Sequence, residues 1–383
     1  MRILHFFKTA MPETVGGIEQ VIHHLAAGAA RRGAQVDVLS LSPNPTPDRQ
    51  EFGGYTVHRC HRDLDLASTG LSLSGLRRFT ELSAHADLVH YHFPWPFMDV
   101  AHFVTRMKKP AIVTYHSDIV RQKWLYRLYR PLQGAFLHSV DCIVATSPNY
   151  VMTSPVLSSI EEKTQVIPIG LDRSHYPEPD EKLLAAWRSR FGCPFYLFIG
   201  VLRYYKGLHI LLDAARQVSH PIVIVGAGPV ERQLKSQAQE LGLRNVHFLG
   251  HLADADKVCL LKLCYGVVFP SHLRAEAFGL SLLEGAMYGK PIICSEIGTG
   301  TSYINIAGET GLVVPPADSG ALAQAMRVLW DDPAKAAQMG RRAEERYRLH
   351  FTGDRMIEAY MDLYARTVAR HAKQPVQAGR LKN

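Results

Sequence analysis

Two glutamates, Glu276 and Glu284, bracket the segment Glu276-Ala277-Phe278-Gly279-Leu280-Ser281-Leu282-Leu283-Glu284. Carboxylates accept hydrogen bonds from hydroxyl groups, so such a pair suits a ligand rich in hydroxyls. Leu280, Leu283 and Met287 recur at helical spacing and predict a helix start here, after the loop 270–275. Eight helical steps of about 1.5 Å put the glutamates roughly 12 Å apart along the axis. Carboxylate pairs that flank a glycosidic bond stand about 5–9.5 Å apart, so these two are better placed to grip the ends of an elongated ligand. Free amides near Ala277, Phe278 and Gly279 favour an anion or an oxygen atom beside them. A surface helix carrying two acidic residues has the same spacing, so the pair alone decides nothing.

A second group of chemistry-bearing residues lies upstream. Gly200-Val201-Leu202-Arg203-Tyr204-Tyr205-Lys206-Gly207 follows one predicted strand and opens one predicted helix. Two cations so close to a strand's carboxyl end suit a diphosphate, although a solvated basic loop reads the same way. Gly16-Gly17, between the first strand and an amphipathic helix, permits close backbone approach and frees amides toward a phosphate. His116 ends the predicted strand 111–115. His90 and His92 fall on one strand face, which with Asp118 invites a metal reading. A hard-metal nucleotide site presents carboxylates, and no Asp-x-Asp pattern lies beside these histidines; no metal is expected. Gly226-Ala227-Gly228-Pro229-Val230-Glu231 imitates a dinucleotide fingerprint, but Glu231 stands where its third glycine belongs. A plain strand-to-helix turn fits better.

Alternating strand and helix patterns must hold these groups. Strands are predicted at 3–7, 35–41, 55–59, 88–91, 111–115 and 142–145, with helices at 18–32 and 120–138. A polar, proline-bearing stretch at 173–181 reads as a linker. A second series follows: strands at 195–200, 222–225, 246–249, 266–269, 291–294 and 312–314, helices at 207–217, 230–241, 276–288 and 320–330. Residues 333–370 read as a long charged helical ending, and the chain beyond 372 as a polar, disordered tail. The fold class is α/β: two doubly wound, Rossmann-like domains facing across a cleft, with ligand at the carboxyl ends of the strands.

The net charge is +8, and residues 341–383 carry ten basic against five acidic side chains. Such a balance admits nucleic acid, anionic membrane or phosphorylated substrates; no nucleic-acid motif is present, so no nucleic-acid partner is expected. No apolar run reaches the roughly 18–20 residues that span a bilayer, and no signal peptide is recognisable, so a cytoplasmic protein is expected. Arg121, Lys123, Arg127 and Arg130 share a helix with Trp124, Leu125, Leu128 and Tyr129, a mixture suited to peripheral contact with an anionic membrane. Six scattered cysteines without a C-x-x-C pair read as reduced thiols.

The glutamate segment resembles the two-glutamate motif of retaining GT-B glycosyltransferases, specifically glycosyltransferase family 4. Other pieces match in order: Gly16-Gly17-Ile18-Glu19, Tyr115-His116-Ser117-Asp118, Ser147-Pro148, Ile167-Pro168-Ile169-Gly170-Leu171-Asp172, the loop from Gly200 to Gly207, and Gly308-Glu309-Thr310-Gly311-Leu312. The resemblance implies that Glu276 meets donor-sugar hydroxyls, Glu284 the nucleotide ribose, and Lys206 the donor phosphates. It places Ala277, Phe278, Gly279 and Leu280 against the donor, Gly16 and Gly17 on its phosphate or sugar side, and His116 at the transfer centre. Val201 departs from the arginine the family places after the glycine, with Arg203 as a substitute; Gly298-Thr299-Gly300-Thr301-Ser302-Tyr303 replaces a G-G-x-x-E-like loop. That loop, His5-Phe6-Phe7-Lys8 and Arg203-Tyr204-Tyr205-Lys206 are similar to bacterial mannosyltransferases and D-rhamnosyltransferases of O-antigen assembly.

The resemblance implies an acceptor-binding domain at 1–172 and a nucleotide-sugar domain at 173–350. It also implies a helix at 351–371 packing back on the first domain, before the tail at 372–383. The expected activity is a metal-independent hexosyl transfer without cofactor. The expected donor is GDP-mannose, then GDP-D-rhamnose or a UDP-hexose; the acceptor is a saccharide or an undecaprenyl-diphosphate-linked glycan. A GT-B-shaped sugar-nucleotide epimerase and a nonenzymatic nucleotide-binding protein are the alternatives.

Overall fold

Runs such as the Ile-Val-Ile-Val of 222–225 leave no polar face, the mark of a parallel strand covered on both sides. The computed structural model describes residues 1–66, 69–119 and 123–373. The chain forms two units, one of Met1–Ala145, Ser159–Ile167 and Asp354–Asn383, the other of Thr146–Ser158 and Pro168–Gly353.

The chain opens with β1 (Arg2–Phe6), α1 (Gly17–Arg31), β2 (Gln35–Ser42), β3 (Arg49–Phe52), β4 (Tyr55–His61), β5 (Leu64–Leu66) and β6 (Thr69–Leu71). It continues through α2 (Leu73–His85), β7 (Leu88–Phe93), α3 (Pro96–Val104), β8 (Ala111–Tyr115), α4 (Lys123–Ser139) and β9 (Cys142–Ala145). After α5 (Pro148–Thr153) comes β10 (Thr164–Val166). Among the described residues the first unit's main sheet runs β10-β9-β8-β7-β1-β2-β4-β3, parallel except for β3. The chain builds outward from β1 to one side, then returns and builds to the other. The strand order therefore reverses between β1 and β7, where an open α/β sheet leaves a crevice at its carboxyl edge.

The second unit carries α6 (Glu181–Phe191), β11 (Tyr196–Ile199), α7 (Leu208–Ala215), β12 (Ile222–Val225), α8 (Glu231–Glu240), β13 (Val246–Gly250) and α9 (Asp254–Leu263). It continues with β14 (Gly266–Phe269), α10 (Leu280–Met287), β15 (Ile292–Ser295), α11 (Thr301–Ile304), β16 (Gly311–Val314), α12 (Ser319–Asp331) and α13 (Pro333–His350). Its strands are parallel in the order β13-β12-β11-β14-β15-β16, so this order reverses between β11 and β14. Leu197, Val223 and Val267 of the central strands pack with Trp187, Cys259 and Leu260 in one buried cluster.

The predicted 333–370 helix is two helices, α13 and then α14 (Gly353–Lys373), parted at Phe351. There the chain turns back on itself, as Leu171 bridges Thr352 and Tyr347 Oη donates to the Leu171 carbonyl at 2.9 Å. From Asp354 onward α14 belongs to the first unit. Gly28 of α1 admits it closely, since a Cβ there would stand 2.3 Å from Ile357 Cδ1. Arg32 pairs with Asp354 at 2.9 Å beside that contact. The tail beyond Lys373 and residues 120–122 lie outside the described residues. All six cysteines are free, and burial pushes the Cys264 and Cys294 thiols up to about 11 and 12.

Candidate functional site

In the second unit the loops after β11 and β14 flank the reversal point of the sheet, and a glycine of the first lets them pass closely. Gly207, at φ +71°, lies so near the loop after β14 that a Cβ would sit 1.9 Å from the Pro270 carbonyl oxygen. His272 N donates to Tyr205 O at 3.0 Å, and the Tyr204 ring stacks on His209 and meets His272 edge-on. These contacts bring Lys206 from one loop onto Glu276 of the other, where Nζ donates to Oε2. The side chains are 12% and 11% exposed, so the pair is largely withdrawn from water. Lys206 Nζ also stands 4.6 Å from the centre of the Phe269 ring, and Ser271 Oγ lies 3.5 Å from Glu276 Oε2.

The helix predicted to start near Glu276 starts at Leu280, because Gly279 takes φ +100° at its N-cap. Only the last part of the nine-residue segment is helical, so an axial separation counted in eight helical steps does not apply. Residues 276–279 are instead irregular backbone, and Ala277 O accepts from Gly300 N at 2.9 Å. Phe278 is buried there, and a Cβ on Gly300 would meet its Cα at 2.8 Å. Ser281 Oγ donates to the Ile199 carbonyl at 2.7 Å, which ties α10 to the end of β11. Glu284, one turn further on, accepts from Tyr176 Oη at 3.0 Å. Burial raises the Glu284 carboxyl above its ordinary range, against the pull of the Tyr176 hydroxyl.

Arg203 is exposed and makes no ion pair or side-chain hydrogen bond among the described residues. Gly226 and Gly228 are accounted for by backbone approach: a Cβ on either would lie 2.0 Å from Gly200 O or 2.4 Å from Leu202 O. They let the basic loop lie against the β12–α8 turn. Arg274, which sequence reasoning passed over, donates to Thr153 Oγ1 at 2.7 Å and Gly298 O at 2.9 Å and covers the Tyr150 ring at 5.0 Å. Tyr176 was also missed, since it sits in a stretch read as linker. Residues 308–310 form a turn that leads into β16, where a Cβ on Gly311 would stand 1.9 Å from Ile292 O.

In the first unit, Gly16 is the N-cap of α1, and a Cβ there would stand 2.5 Å from Glu19 Oε2. The buried Glu19 carboxylate folds back over the helix start and accepts from Thr9 Oγ1 at 2.6 Å. His116 follows β8, and its Nε2 lies 3.0 Å from His92 Nδ1. A cavity of about 270 Å³ lined by Arg2, Gln35, Asp37 and His58 opens at the other end of β1 and β2, where strand amino ends lie. Its polar groups pair with each other, His58 with Asp37 at 2.7 Å and Arg78 with His58 at 3.1 Å.

His5, His90 and His92 offer ligand atoms within 4.8 Å of one another. His90 already bonds Tyr364 Oη and Thr114 Oγ1, and His92 bonds His5 and His116. A cation would have to break those bonds. The two Asp-x-Asp patterns are also engaged elsewhere: Asp63 holds Leu73 N and Asp65 pairs with Arg62, while Asp254 pairs with Lys257 and Asp256 holds Trp187 Nε1. On α4, Trp124, Leu125 and Leu128 are exposed beside Arg127, whose guanidinium stands 5.4 Å from the Trp124 ring centre. Arg121 lies outside the described residues. No described helix is long and apolar enough to cross a membrane.

A family model for glycosyl transferases group 1 matches residues 181–346, and one for glycosyltransferase family 4 matches residues 15–175. The chain is 62% identical over 352 residues to the D-rhamnosyltransferase WbpZ of Pseudomonas aeruginosa, covering 92% of each chain. It is 50% identical over 364 residues to the O-antigen chain mannosyltransferase C of Escherichia coli, covering 95% of this chain and 98% of that one. Sucrose-phosphate synthase from Thermosynechococcus elongatus shares the fold with a TM-score of 0.80 at 23% identity, over 96% of this chain and 99% of that one. Anabaena HepE in complex with UDP does so at 0.78 and 21% identity, over 96% and 100%.

Proposed function

Because the chain belongs to glycosyltransferase family 4, with the family's GT-B fold, we propose that it transfers a D-manno-configured hexose from a nucleotide sugar to a lipid-linked glycan of O-antigen. The observation that carries this reading is the meeting of Lys206 with Glu276 at the strand-order reversal of the second sheet. An ammonium and a carboxylate held together there match the two parts of an activated sugar. The ammonium suits the diphosphate, and the carboxylate suits the hydroxyls of the hexose. Departure of the nucleoside diphosphate builds charge on phosphate oxygen. Lys206, Arg203 and the backbone amides of Ala277 to Leu280 would stabilise that charge, the role a metal plays elsewhere.

The buried Glu284 suits a pair of ribose hydroxyls, and Tyr176 orients it. No second carboxylate stands beside Glu276 as a nucleophile among the described residues. The family resemblance implies retention, and without such a nucleophile retention is reached by front-face attack, the leaving phosphate accepting the acceptor's proton. In the first unit, Gly16, Gly17 and His116 are the residues to which the family resemblance gives a part in handling the donor. The exposed Trp124 and Leu128, with Arg127, suit peripheral contact with an anionic membrane, where a lipid-linked acceptor resides.

Mannose carried by GDP is the donor favoured here. The higher identity to a D-rhamnosyltransferase favours a second donor, GDP-D-rhamnose, which lacks only the 6-hydroxyl. A thermal-shift screen of GDP-, UDP-, ADP- and dTDP-sugars tests the donor class, because a ligand that binds only the folded state raises its melting temperature. Stabilisation by GDP-sugars followed by transfer to a lipid-linked glycan is the expected result. Stabilisation by UDP-sugars alone, or turnover without acceptor, would overturn it.

A further inference from the structure

The polar side chains beneath His116 form a line that the proposed transfer chemistry does not yet use. Parallel register sets His5 against His90 and His92 against Thr114. Strand alternation keeps His90 with His92, and Thr114 with His116, on one face. His5 Nδ1 lies 3.0 Å from His92 Nε2, and His92 Nδ1 lies 3.0 Å from His116 Nε2. His90 stands beside the line, bonded to Tyr364 Oη at 2.9 Å and Thr114 Oγ1 at 2.7 Å. Thr114 Oγ1 in turn lies 2.8 Å from Tyr360 Oη, so α14 closes the face. Among the fully buried ring nitrogens of this group, the one without a partner is His5 Nε2.

We propose that His5, His92 and His116 act as one hydrogen-bonded line that fixes the tautomer of His116, with Nε2 accepting from His92 and Nδ1–H offered as a donor to a substrate oxygen. His92 is then a positioning residue. The inference rests on the placing of His116 at the transfer centre in the proposed function.

A neutral imidazole has one donor and one acceptor nitrogen. Every ring in such a line must therefore point the same way, and only two polarities exist. With the proton on His5 Nε2, a buried N–H is left without an acceptor. With the proton on His5 Nδ1, only a lone pair is left. Orphaned buried N–H groups are the rarer in folded proteins, so the second polarity is favoured. His5 Nδ1–H then donates to His92 Nε2, His92 Nδ1–H donates to His116 Nε2, and the His116 proton must sit on Nδ1.

Burial holds His5 and His116 down to about 3 and His92 well below the usual imidazole value. All three rings stay neutral near pH 7, so the polarity persists. His116 is for the same reason a poor base, and its use is as a directed donor.

The experiment is a long-range ¹H–¹⁵N correlation of histidine ring nitrogens in the full-length protein at pH 7.5, paired with steady-state transfer kinetics. The wild-type chain should show His116 as the Nδ1–H tautomer. His92→Phe should give mixed tautomers, with kcat about tenfold lower and the donor KM within about twofold. Adding His92→Phe to His116→Phe should cost little more, because linked residues are not additive. His92→Gln, which carries both an amide donor and a carbonyl acceptor, should restore the Nδ1–H form and most of kcat.

An Nε2–H His116 in the wild type overturns the proposal without any variant. So does a His92→Phe chain that melts and turns over like wild type. Zinc shifting the His5, His90 and His92 signals together would replace it with a metal site. If no transfer occurs at all, the functional reading fails, while the wild-type tautomer still decides the line.

Discussion

Replacing Lys206 by alanine should separate two consequences of one ion pair. In the folded chain the ammonium answers Glu276, and both side chains keep only about a tenth of their exposure, 12% and 11%. Breaking a fully buried pair costs about 3–5 kcal/mol, because the remaining charge is stranded. The residual exposure lowers this to about 2–3 kcal/mol. Each kcal/mol shifts Tm by about 2–4 °C in a unit of roughly 200 residues, so Lys206→Ala should melt about 4–12 °C below wild type. Adding Glu276→Ala removes the stranded charge and should return most of that loss. The part due to Lys206 over the Phe269 ring, about 0.5–2 kcal/mol, should not return. Activity should not follow stability. Loss of a donor to developing charge costs about 10²–10³ in rate, and the double variant should stay as slow or slower. Scanning calorimetry and initial rates at saturating donor read the two quantities on the same samples. The reasoning is refuted if the double variant melts no higher than Lys206→Ala, or if Lys206→Ala keeps more than about a third of wild-type turnover.

Glu284 offers a pH test. Its carboxyl is raised by burial, so it favours the fold below the unfolded value of about 4.3, and that contribution is lost as pH rises through the raised value. Glu284→Gln should therefore melt above wild type at pH 8, with the gap closing at pH 4, while binding nucleoside diphosphate about tenfold more weakly at pH 8; an equal gap at both pH values would count against a buried charge. Gly207→Ala should cost more than about 3 kcal/mol by urea unfolding and abolish transfer, since a Cβ would stand 1.9 Å from Pro270 O. Gly192→Ala is its control: φ is +63° but nothing lies within 4 Å, so only the left-handed penalty of about 1–2 kcal/mol applies. Trp124→Ser with Leu128→Ser, at residues 80% and 82% exposed, should reduce sedimentation with anionic vesicles several-fold and leave transfer to a soluble acceptor intact. Unchanged sedimentation would remove this face from membrane contact.

The central strands were legible because both their faces are buried: apolar runs such as those of β12 and β14 have one reading. The edge was not. β3 is Arg-Gln-Glu-Phe and β5 is Leu-Asp-Leu, short segments with polar residues that carry no periodic signal. The start of α10 was misplaced because Leu280, Leu283 and Met287 fix a helical face but not its first residue. Gly279 sets that, through a left-handed backbone that a pattern of apolar residues does not encode. Spacing named Glu276 and Glu284, yet it could not pair Glu276 with Lys206, because that meeting depends on how closely two loops pass at Gly207 and Pro270. The partner of His116 was similarly out of reach. His90 and His92 advertised a shared face, but only strand order brings His5 of β1 and His116 beyond β8 to either side of them.

The helix that covers the histidine face of the first unit is the last one in the described chain. On the ribosome, residues appear at about 5–20 per second from the amino end. The second unit therefore has all of its residues in hand by Gly353, while the first, begun earlier, still waits for Tyr360 and Tyr364. The unit begun earlier is thus the one whose residues are completed later. A polypeptide stopped at residue 350 would leave His90 of β7 and Thr114 of β8 without the Tyr364 and Tyr360 hydroxyls that answer them.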